Sequence, residues 1–338
     1  MATVVGEFMV LALVIVVTGT VLSHCADLIA EITGFGRLLV GSVLLAGATS
    51  LPELTVDITA VRIGLADLAA GDLLGSSLMN LLILALLDLS HHSRGRMFSR
   101  EAAAHSLSAT LSIALTALVG VAIFTAERLP APSWLGVSLP TWGIAVAYAL
   151  GVRMVFVDQR VSAAAAATHV DVEHARPTTP LWKPVTGFLV ATVVLIFAGP
   201  RLAHTAGKLA ELSGLGNSFV GTTLVAFSTS LPELVSSLAA LRMRAFDLAI
   251  GNVFGSNAFN MLIFVPLDLV HSGPIFSAVS ATHTLTCLAV VVATSVAILG
   301  QLYRVETRRR LVEPDAWLVI AIVIGALWLV YQMPASGN

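Results

Sequence analysis

Residues 49–54 read TSLPEL, and residues 229–234 read TSLPEL again, each within a stretch that is otherwise apolar enough to cross a membrane. Proline breaks or kinks a helix because it lacks an N–H and because its ring collides with the carbonyl group four residues earlier. We therefore expect a helix break at residues 48–51 and an equivalent break in the second copy. Carbonyl groups that are freed inside a membrane must face protein, ions or water.

A glutamate follows the proline in both copies, as Glu53 and Glu233. Each is predicted to occupy the first turn of the helix after the break, where the helix dipole and free N–H groups stabilise a carboxylate. A lone proline in a membrane helix is more often a kink than a site. An ionisable residue in a membrane indicates function, however, and its presence in both copies favours that interpretation.

The composition is that of an integral membrane protein. Of the 338 residues, 57% are hydrophobic and 11% are charged, and the mean hydropathy is +0.92, whereas about 25% of the residues of soluble domains are charged. Cys25 and Cys287 lie in apolar segments without metal-ligand spacing and are predicted to be small core residues. Nothing in the charge pattern indicates a nucleic-acid partner.

Ten segments reach the length of about 20 apolar residues that a spanning helix needs. They are residues 5–30, 37–61, 66–89, 101–124, 136–157, 185–210, 217–241, 246–270, 276–300 and 316–333. All are predicted to be α-helical, because lipid-exposed backbone must satisfy its hydrogen bonds internally.

The sequence repeats itself at an offset of 180 residues, which aligns residues 37–89 with residues 217–269. We expect a first five-helix repeat at 1–158, a polar cytoplasmic linker at 159–183 and a second repeat at 184–338. Because five is odd, the second repeat must enter the membrane from the opposite side, which gives inverted repeats. The excess of arginine in alternate loops predicts that both termini lie outside.

A polar patch follows each motif: GDLLGSSLMN at residues 71–80 and GNVFGSNAFN at residues 251–260. The turn that joins the motif to its patch is predicted near residue 64 or 65 in the first copy. Counting from this turn places residues at matching depths in the pairs Glu53 and Ser76, Thr49 and Asn80, Glu233 and Ser256, and Thr229 and Asn260. Each hairpin is therefore predicted to present a Thr/Glu column to a Ser/Asn column. Such oxygen ligands, without thiolate or imidazole, suit hard cations such as Ca²⁺ or Na⁺.

Two further acids distinguish the first repeat. Asp57 lies one turn after Glu53, and Asp72 lies in the polar patch, where the second repeat has Ser237 and Asn252. The same counting places the two acids level with each other, nearer the outer loop. Either they form an acidic step between the outside and the centre, or they face water or the helix connection and bind nothing.

Four other aspartates recur at matching positions near helix ends. Asp67 and Asp247 start the third and eighth predicted helices and are expected to cap them. Asp88 and Asp268 lie near the other ends of these helices, where interfacial capping is favoured over ion binding.

The paired motifs resemble the two α-repeats of the sodium/calcium exchanger family, within the cation/calcium exchanger superfamily. The resemblance rests on GATSLPEL and FSTSLPEL, each followed by a GS-containing patch that ends in asparagine. It implies an all-α integral membrane antiporter of ten transmembrane helices in two inverted five-helix repeats, with helices 2, 3, 7 and 8 broken. It also implies alternating access, by sliding of the first and sixth helices, to central sites where Ca²⁺ and Na⁺ compete.

The resemblance further implies a set of ion ligands, position by position. The principal carboxylates would be Glu53 and Glu233. The other ligands would be the hydroxyl or carbonyl groups of Thr49, Ser50, Ser76, Thr229, Ser230 and Ser256, the backbone carbonyl groups of Ala46 and Ala226, and the pair Asn80 and Asn260. The family pattern has aspartate at the position of Asn260, so the ion stoichiometry stays open, and Asp57 and Asp72 are further candidates.

We therefore expect secondary active antiport of Ca²⁺ against Na⁺, with inorganic cations and the lipid bilayer as partners and no cofactor, obligate protein partner or enzymatic activity. The use of arginine and alanine in place of lysine is typical of a high-GC prokaryote, which indicates the plasma membrane. A cation/proton exchanger is the alternative within transport. An intramembrane aspartyl hydrolase is disfavoured because its YD and GxGD motifs are missing, and a non-transporting ion sensor would bind cations without flux.

Overall fold

The computed structural model describes residues 1–90, 102–126, 128–129, 132–167, 179–212, 227–302 and 314–332. Its α-helices are α1 (Ala2–Thr33), α2 (Arg37–Leu39), α3 (Ala46–Thr49), α4 (Leu51–Arg62), α5 (Ala66–Ser90), α6 (Ala102–Ala126), α7 (Leu139–Ala167), α8 (Trp182–Leu212), α9 (Leu231–Arg242), α10 (Phe246–Val270), α11 (His283–Leu302) and α12 (Pro314–Gln332). A π-helix (Val40–Leu45) joins α2 to α3, and a 3₁₀ turn covers Ile275–Ala278. The strands β1 (Ser133–Trp134) and β2 (Val137–Ser138) form a small antiparallel hairpin.

The described residues include seven helices that are long and apolar enough to cross a membrane, against the ten predicted spans. An eighth span is obtained if Arg37–Thr49 and Leu51–Arg62, which meet at an angle of 42°, are counted together. The tenth predicted span is the shorter apolar helix α12. The first part of the seventh, residues 217–226, lies outside the described residues, as does the centre of the predicted linker, residues 168–178.

The predicted helix break is confirmed at Ser50, which separates α3 from α4 with φ −89° and ψ 3°. Pro52 then falls in the first turn of α4, where a missing N–H costs nothing because the first N–H groups of a helix have no partner within it. Ser230 precedes α9 with nearly the same backbone angles, φ −82° and ψ 3°. The same local chemistry thus starts both half-helices.

The turns that follow α4 and α9 are also alike. Gly64 has φ 82°, and Arg244, which is its equivalent at the 180-residue offset, has φ 61°. This left-handed conformation suits glycine and is uncommon for other residues. Its presence at both places confirms the predicted position of the hairpin turn, even though the second hairpin has an arginine there.

The third and eighth predicted helices are continuous, which corrects the expectation that they are broken. They form α5 and α10, each of 25 residues without interruption. The glycines of their polar patches weaken a helix by about 1 kcal/mol each, but glycine keeps its N–H and therefore preserves the hydrogen-bond ladder. Pro266 lies within the last turns of α10 and does not end it.

Helices α5 and α10 form the centre of the protein. Two thirds of the residues in the apolar window of each are buried, compared with 17% for α1. Helix α10 packs against the π-helix, α3, α4, α5, α6, α7 and α9. The polar patches of both helices therefore lie in the interior, whereas α1 and α8 pack against each other at the periphery and expose large apolar side chains.

Candidate ion-binding site

Glu53 and Glu233 are brought into the interior by the two helix breaks. Both side chains are 1% exposed, and each begins a half-helix, in the first turn of α4 and of α9. The positive end of the helix dipole favours an anion at this position. No lysine or arginine among the described residues is buried, so protein cations do not compensate these two carboxylates.

The hydroxyl groups at the breaks contact the opposite half of the chain. Ser50 Oγ donates to Glu233 Oε1 at 3.2 Å, and Ser230 Oγ donates to Ser76 Oγ at 3.3 Å. Thr49 Oγ1 lies 3.5 Å from Ser256 Oγ. We expected each column to face its own hairpin, but these hydrogen bonds run between the halves. The two breaks therefore meet at one centre.

The threonines make a matching pair of contacts across the centre. Thr49 Oγ1 lies 3.4 Å from Asn252 Oδ1, and Thr229 Oγ1 lies 3.5 Å from Asp72 Oδ1. These contacts are equivalent at the 180-residue offset. The only chemical difference between them is that one acceptor is an amide and the other a carboxyl group.

The candidate asparagines are held by their amino groups. Asn80 Nδ2 donates to Asn257 Oδ1 at 3.0 Å, and Asn257 Nδ2 donates in turn to the backbone oxygen of Ser77 at 3.2 Å. Asn260 Nδ2 donates to the backbone oxygen of Leu73 at 3.4 Å. Because the nitrogens are engaged, the amide oxygens of Asn80 and Asn260 are left free to accept.

Four oxygens of this centre are buried and have no hydrogen-bond partner among the described residues. They are Glu53 Oε2, Glu233 Oε2, Asn80 Oδ1 and Asn260 Oδ1. A buried acceptor without a donor costs about 1–3 kcal/mol, and more if it is charged. Carboxylate and amide oxygens left without donors are suited to coordinate a hard cation.

The remaining candidate positions divide into three cases. The backbone oxygen of Ala46 accepts from Ser50 N at 3.1 Å and from Thr49 Oγ1 at 3.2 Å, whereas Ala226 lies outside the described residues. Asp57 is 1% exposed and does not face the loop. The carboxyl groups of Asp57 and Asp72 lie near each other, at positions that the sequence predicts to be level.

Asn257 is a part of the centre that the sequence did not reveal. Its equivalent in the first half is Ser77, so the repeat does not single it out. The available signal was the extra asparagine in GSNAFN compared with GSSLMN. In the structure it joins the polar patches of α5 and α10 through Asn80.

The aspartates at the starts of α5 and α10 contact histidines, and the start of α10 has no side-chain cap. Asp247 Oδ1 lies 2.9 Å from His105 Nε2. Asp67 Oδ1 lies 3.2 Å from His283 Nε2 and accepts from Ser280 N at 2.7 Å. Each pair therefore joins one half of the chain to the other.

The preference for capping is confirmed at Asp268. This buried carboxyl group accepts from the backbone N–H groups of Ser138 and Ile275, at 2.7 Å each. It thereby fixes the β-hairpin and the 3₁₀ turn at the end of α10. Asp268 therefore has a structural role.

Known proteins that are similar to this chain include a putative antiporter and a sodium/calcium exchanger. A family model described as sodium/calcium exchanger protein matches residues 3–170 and 183–333. The chain is 26% identical over 313 residues to the putative antiporter CaxA of Alkalimonas amylolytica, a match that covers 91% of this chain and 92% of that protein. It is 34% identical over 86 residues to the sodium/calcium exchanger MaX1 of Methanosarcina acetivorans, covering 25% of each.

The fold is similar to that of the sodium-calcium exchanger NCX_Mj, in a structure soaked with 10 mM Na⁺ and zero Ca²⁺. The TM-score is 0.70 at 19% sequence identity, and the match covers 97% of this chain and 99% of that one. Since the family model spans both halves of the sequence, the chain belongs to the sodium/calcium exchanger family.

Proposed function

We propose that this exchanger moves Ca²⁺ against Na⁺ by alternating access to a centre built on Glu53 and Glu233. The observation that carries the proposal is the pair of buried glutamates, each with an oxygen that lacks a donor, in a structure whose described residues include no buried lysine or arginine. Two carboxylates balance the charge of one Ca²⁺, and they can bind Na⁺ or protons in its place.

The proposed ligands are those of the two helix breaks and the two polar patches. Glu53 and Glu233 supply the carboxylates, and the amide oxygens of Asn80 and Asn260 complete the centre. The hydroxyl and carbonyl ligands are Thr49, Ser50, Ser76, Thr229, Ser230 and Ser256, with the backbone oxygens of Ala46 and Ala226. Asp57 and Asp72 are further candidates beside this centre.

Coupling follows from the cost of moving charge through a membrane. A centre filled with Ca²⁺ or with monovalent cations is close to neutral, whereas an empty centre carries two negative charges in a medium where isolated charges are expensive. Only the filled protein then changes the side to which the centre opens. Sliding of the peripheral helices α1 and α8 past the interior is the motion we propose for this step.

We propose that the whole chain is two inverted repeats of five helices, 1–158 and 184–338, joined by a cytoplasmic linker at 159–183. The matching breaks at Ser50 and Ser230 and the matching turns at Gly64 and Arg244 support this arrangement. The proposed location is the plasma membrane with both termini outside, as the loop arginines indicate.

Vesicle transport tests the proposal. Purified protein in liposomes is expected to take up radioactive calcium when a Na⁺ gradient is imposed, and Glu53→Gln with Glu233→Gln is expected to abolish the uptake. Glu7→Gln, which removes an exposed acid on α1, is the matched control and keeps the uptake. Unchanged uptake in the double variant would refute the proposed centre.

The same vesicles identify the driving ion. Gradients of Na⁺, K⁺ and H⁺ are imposed one at a time, with membrane potential clamped. Uptake that follows the Na⁺ gradient supports Ca²⁺/Na⁺ exchange. Uptake that follows only the H⁺ gradient would replace it with cation/proton exchange at the same glutamates.

A further inference from the structure

We propose that Asp57, Asp72 and Thr229 form a second site for a hard cation, beside the centre of Glu53 and Glu233. The inference deepens the proposed antiport, on which it rests for its transport role. It rests on a difference between the two halves of the chain, which have different residues at positions that are equivalent at the 180-residue offset.

The second half has a neutral hydrogen-bond network at these positions. Asn252 Nδ2 donates to Ser236 Oγ at 3.2 Å and to Ser237 Oγ at 3.0 Å. Asn252 Oδ1 accepts from Thr49 Oγ1 at 3.4 Å. Both donors of the amide are thus used within its own half, and the network contains no charged group.

The first half replaces the donating amide of that network with a carboxyl group, one accepting serine with a second carboxyl group and the other serine with valine. The residues at the positions of Ser236, Ser237 and Asn252 are Val56, Asp57 and Asp72. The hydroxyl of Thr229 satisfies Asp72 Oδ1. Asp72 Oδ2 and both carboxyl oxygens of Asp57 are buried and lack a donor among the described residues, and Asp57 is only 1% exposed.

A cation supplies what these oxygens lack. Burying a carboxylate away from water costs several kcal/mol, and this cost is not offset when the carboxylate has no positively charged partner. Among the described residues no lysine or arginine is buried, so no protein cation is available to this pair. Two carboxylates with a hydroxyl form a hard, doubly negative ligand set, whose charge matches that of one Ca²⁺.

The pair is distinct from the central glutamates. No group of three or more His, Cys, Asp or Glu side chains within the described ranges converges closely enough to hold one metal ion. We therefore assign the four acids to two neighbouring pairs, Glu53 with Glu233 and Asp57 with Asp72, although Asp72 also lies near enough to the glutamates to interact with their charge. Asp57 follows Glu53 by four residues, which is about 6 Å along a helix, so an ion at one pair is about one helical turn from the other.

The position of the second site gives it a role in ion entry. Asp57 lies on the side of Glu53 that leads to the turn at Gly64, and the proposed topology puts that turn outside. A cation arriving from that side meets Asp57 and Asp72 before the glutamates. The second site thus holds one ion ready beside the centre.

Equilibrium binding of radioactive calcium to the full chain in detergent, without Na⁺, tests the proposal. The wild type is expected to bind two Ca²⁺ per chain. Asp57→Ser with Asp72→Asn, which copies the residues of the second half, is expected to bind one Ca²⁺ with the affinity of the centre kept. Adding Val56→Ser completes the copied network, so that the triple variant also binds one.

The number of bound Ca²⁺ ions distinguishes a failure of the second site from a failure of the proposed centre. A wild type and an Asp57→Ser, Asp72→Asn variant that both bind one Ca²⁺ would overturn the second site and leave the centre intact. Glu53→Gln with Glu233→Gln is expected to keep one Ca²⁺ at the second site, and an unchanged count of two in that variant would overturn the proposed centre instead. If the double aspartate variant does not elute as a folded monodisperse species, the binding measurement is made with Asp57→Asn alone. This variant is expected to bind the second Ca²⁺ at least about tenfold more weakly, which corresponds to about 1.4 kcal/mol. An unchanged affinity for the second Ca²⁺ in Asp57→Asn would refute the site.

Discussion

Replacing Gly255 with alanine places a methyl group against the backbone of Ser42, where α10 crosses the π-helix. A Cβ atom at position 255 would lie 2.7 Å from the carbonyl carbon of Ser42, and nearer still to its Cα and carbonyl oxygen. Carbon atoms in contact normally lie about 3.5–4.0 Å apart. The two helices must therefore separate by about 1 Å, because a backbone cannot rotate away as a side chain can.

The expected cost is at the upper end of that measured for overpacked interiors, about 3 kcal/mol. Function is expected to fall as well, because Gly255 precedes Ser256, whose hydroxyl lies 3.5 Å from Thr49 Oγ1. A separation of the helices moves these two candidate ligands apart. We expect Ca²⁺ binding to weaken by at least about tenfold, which corresponds to about 1.4 kcal/mol.

Thermal unfolding in detergent and calcium uptake into vesicles measure the two effects. Gly143→Ala is the matched control, because Gly143 is an exposed residue of α7 and a Cβ there meets no atom within 4 Å. Alanine favours a helix over glycine by about 1 kcal/mol, so the control is expected to be at least as stable as the wild type. Wild-type stability and uptake in Gly255→Ala would refute the close contact.

Two further substitutions separate structural from ion-binding roles. Asp268→Ala leaves the N–H groups of Ser138 and Ile275 without their acceptor, so we expect about 2–4 kcal/mol of destabilisation with unchanged Ca²⁺ affinity in equilibrium binding. An equally stable variant would contradict the capping role. Asn257→Ala removes the acceptor of Asn80 Nδ2, and we expect about 1–3 kcal/mol of destabilisation together with weaker Ca²⁺ binding, because the oxygen of Asn80 is then no longer held in position. A loss of stability with full Ca²⁺ affinity would show that Asn80 does not depend on it.

The helix breaks could be predicted from the sequence because their cause is local. Pro52 lacks an N–H in any environment, and six residues are enough to locate the break at Ser50 and the glutamate after it. The hairpin turn was equally predictable from the spacing of the motif and its patch. The same reasoning failed for α5 and α10, where glycine weakens a helix but leaves its hydrogen bonds intact.

The partners of the break residues could not be predicted, because they depend on how the halves pack. Counting residues from a turn compares two helices of one hairpin, whereas Ser50 donates to Glu233 in the other half. That contact depends on the packing of α9 against α3, which brings the two helix breaks together. A repeat in the sequence shows that two surfaces are alike but not which of them face each other.

The repeat nevertheless shows at which positions the two halves differ in charge. Asp57 and Asp72 replace Ser237 and Asn252, so the first half gains two acids, while Asn260 leaves the centre without a third. Acids buried without a base must be neutralised by the ions that the protein binds, so the number of buried acids determines how many positive charges the protein can hold before it changes conformation. Asp57 and Asp72 raise that number, and the second site that we propose divides the bound charge between two places. The ratio of transported ions in this chain should therefore depend on the pair at Asp57 as much as on the glutamates.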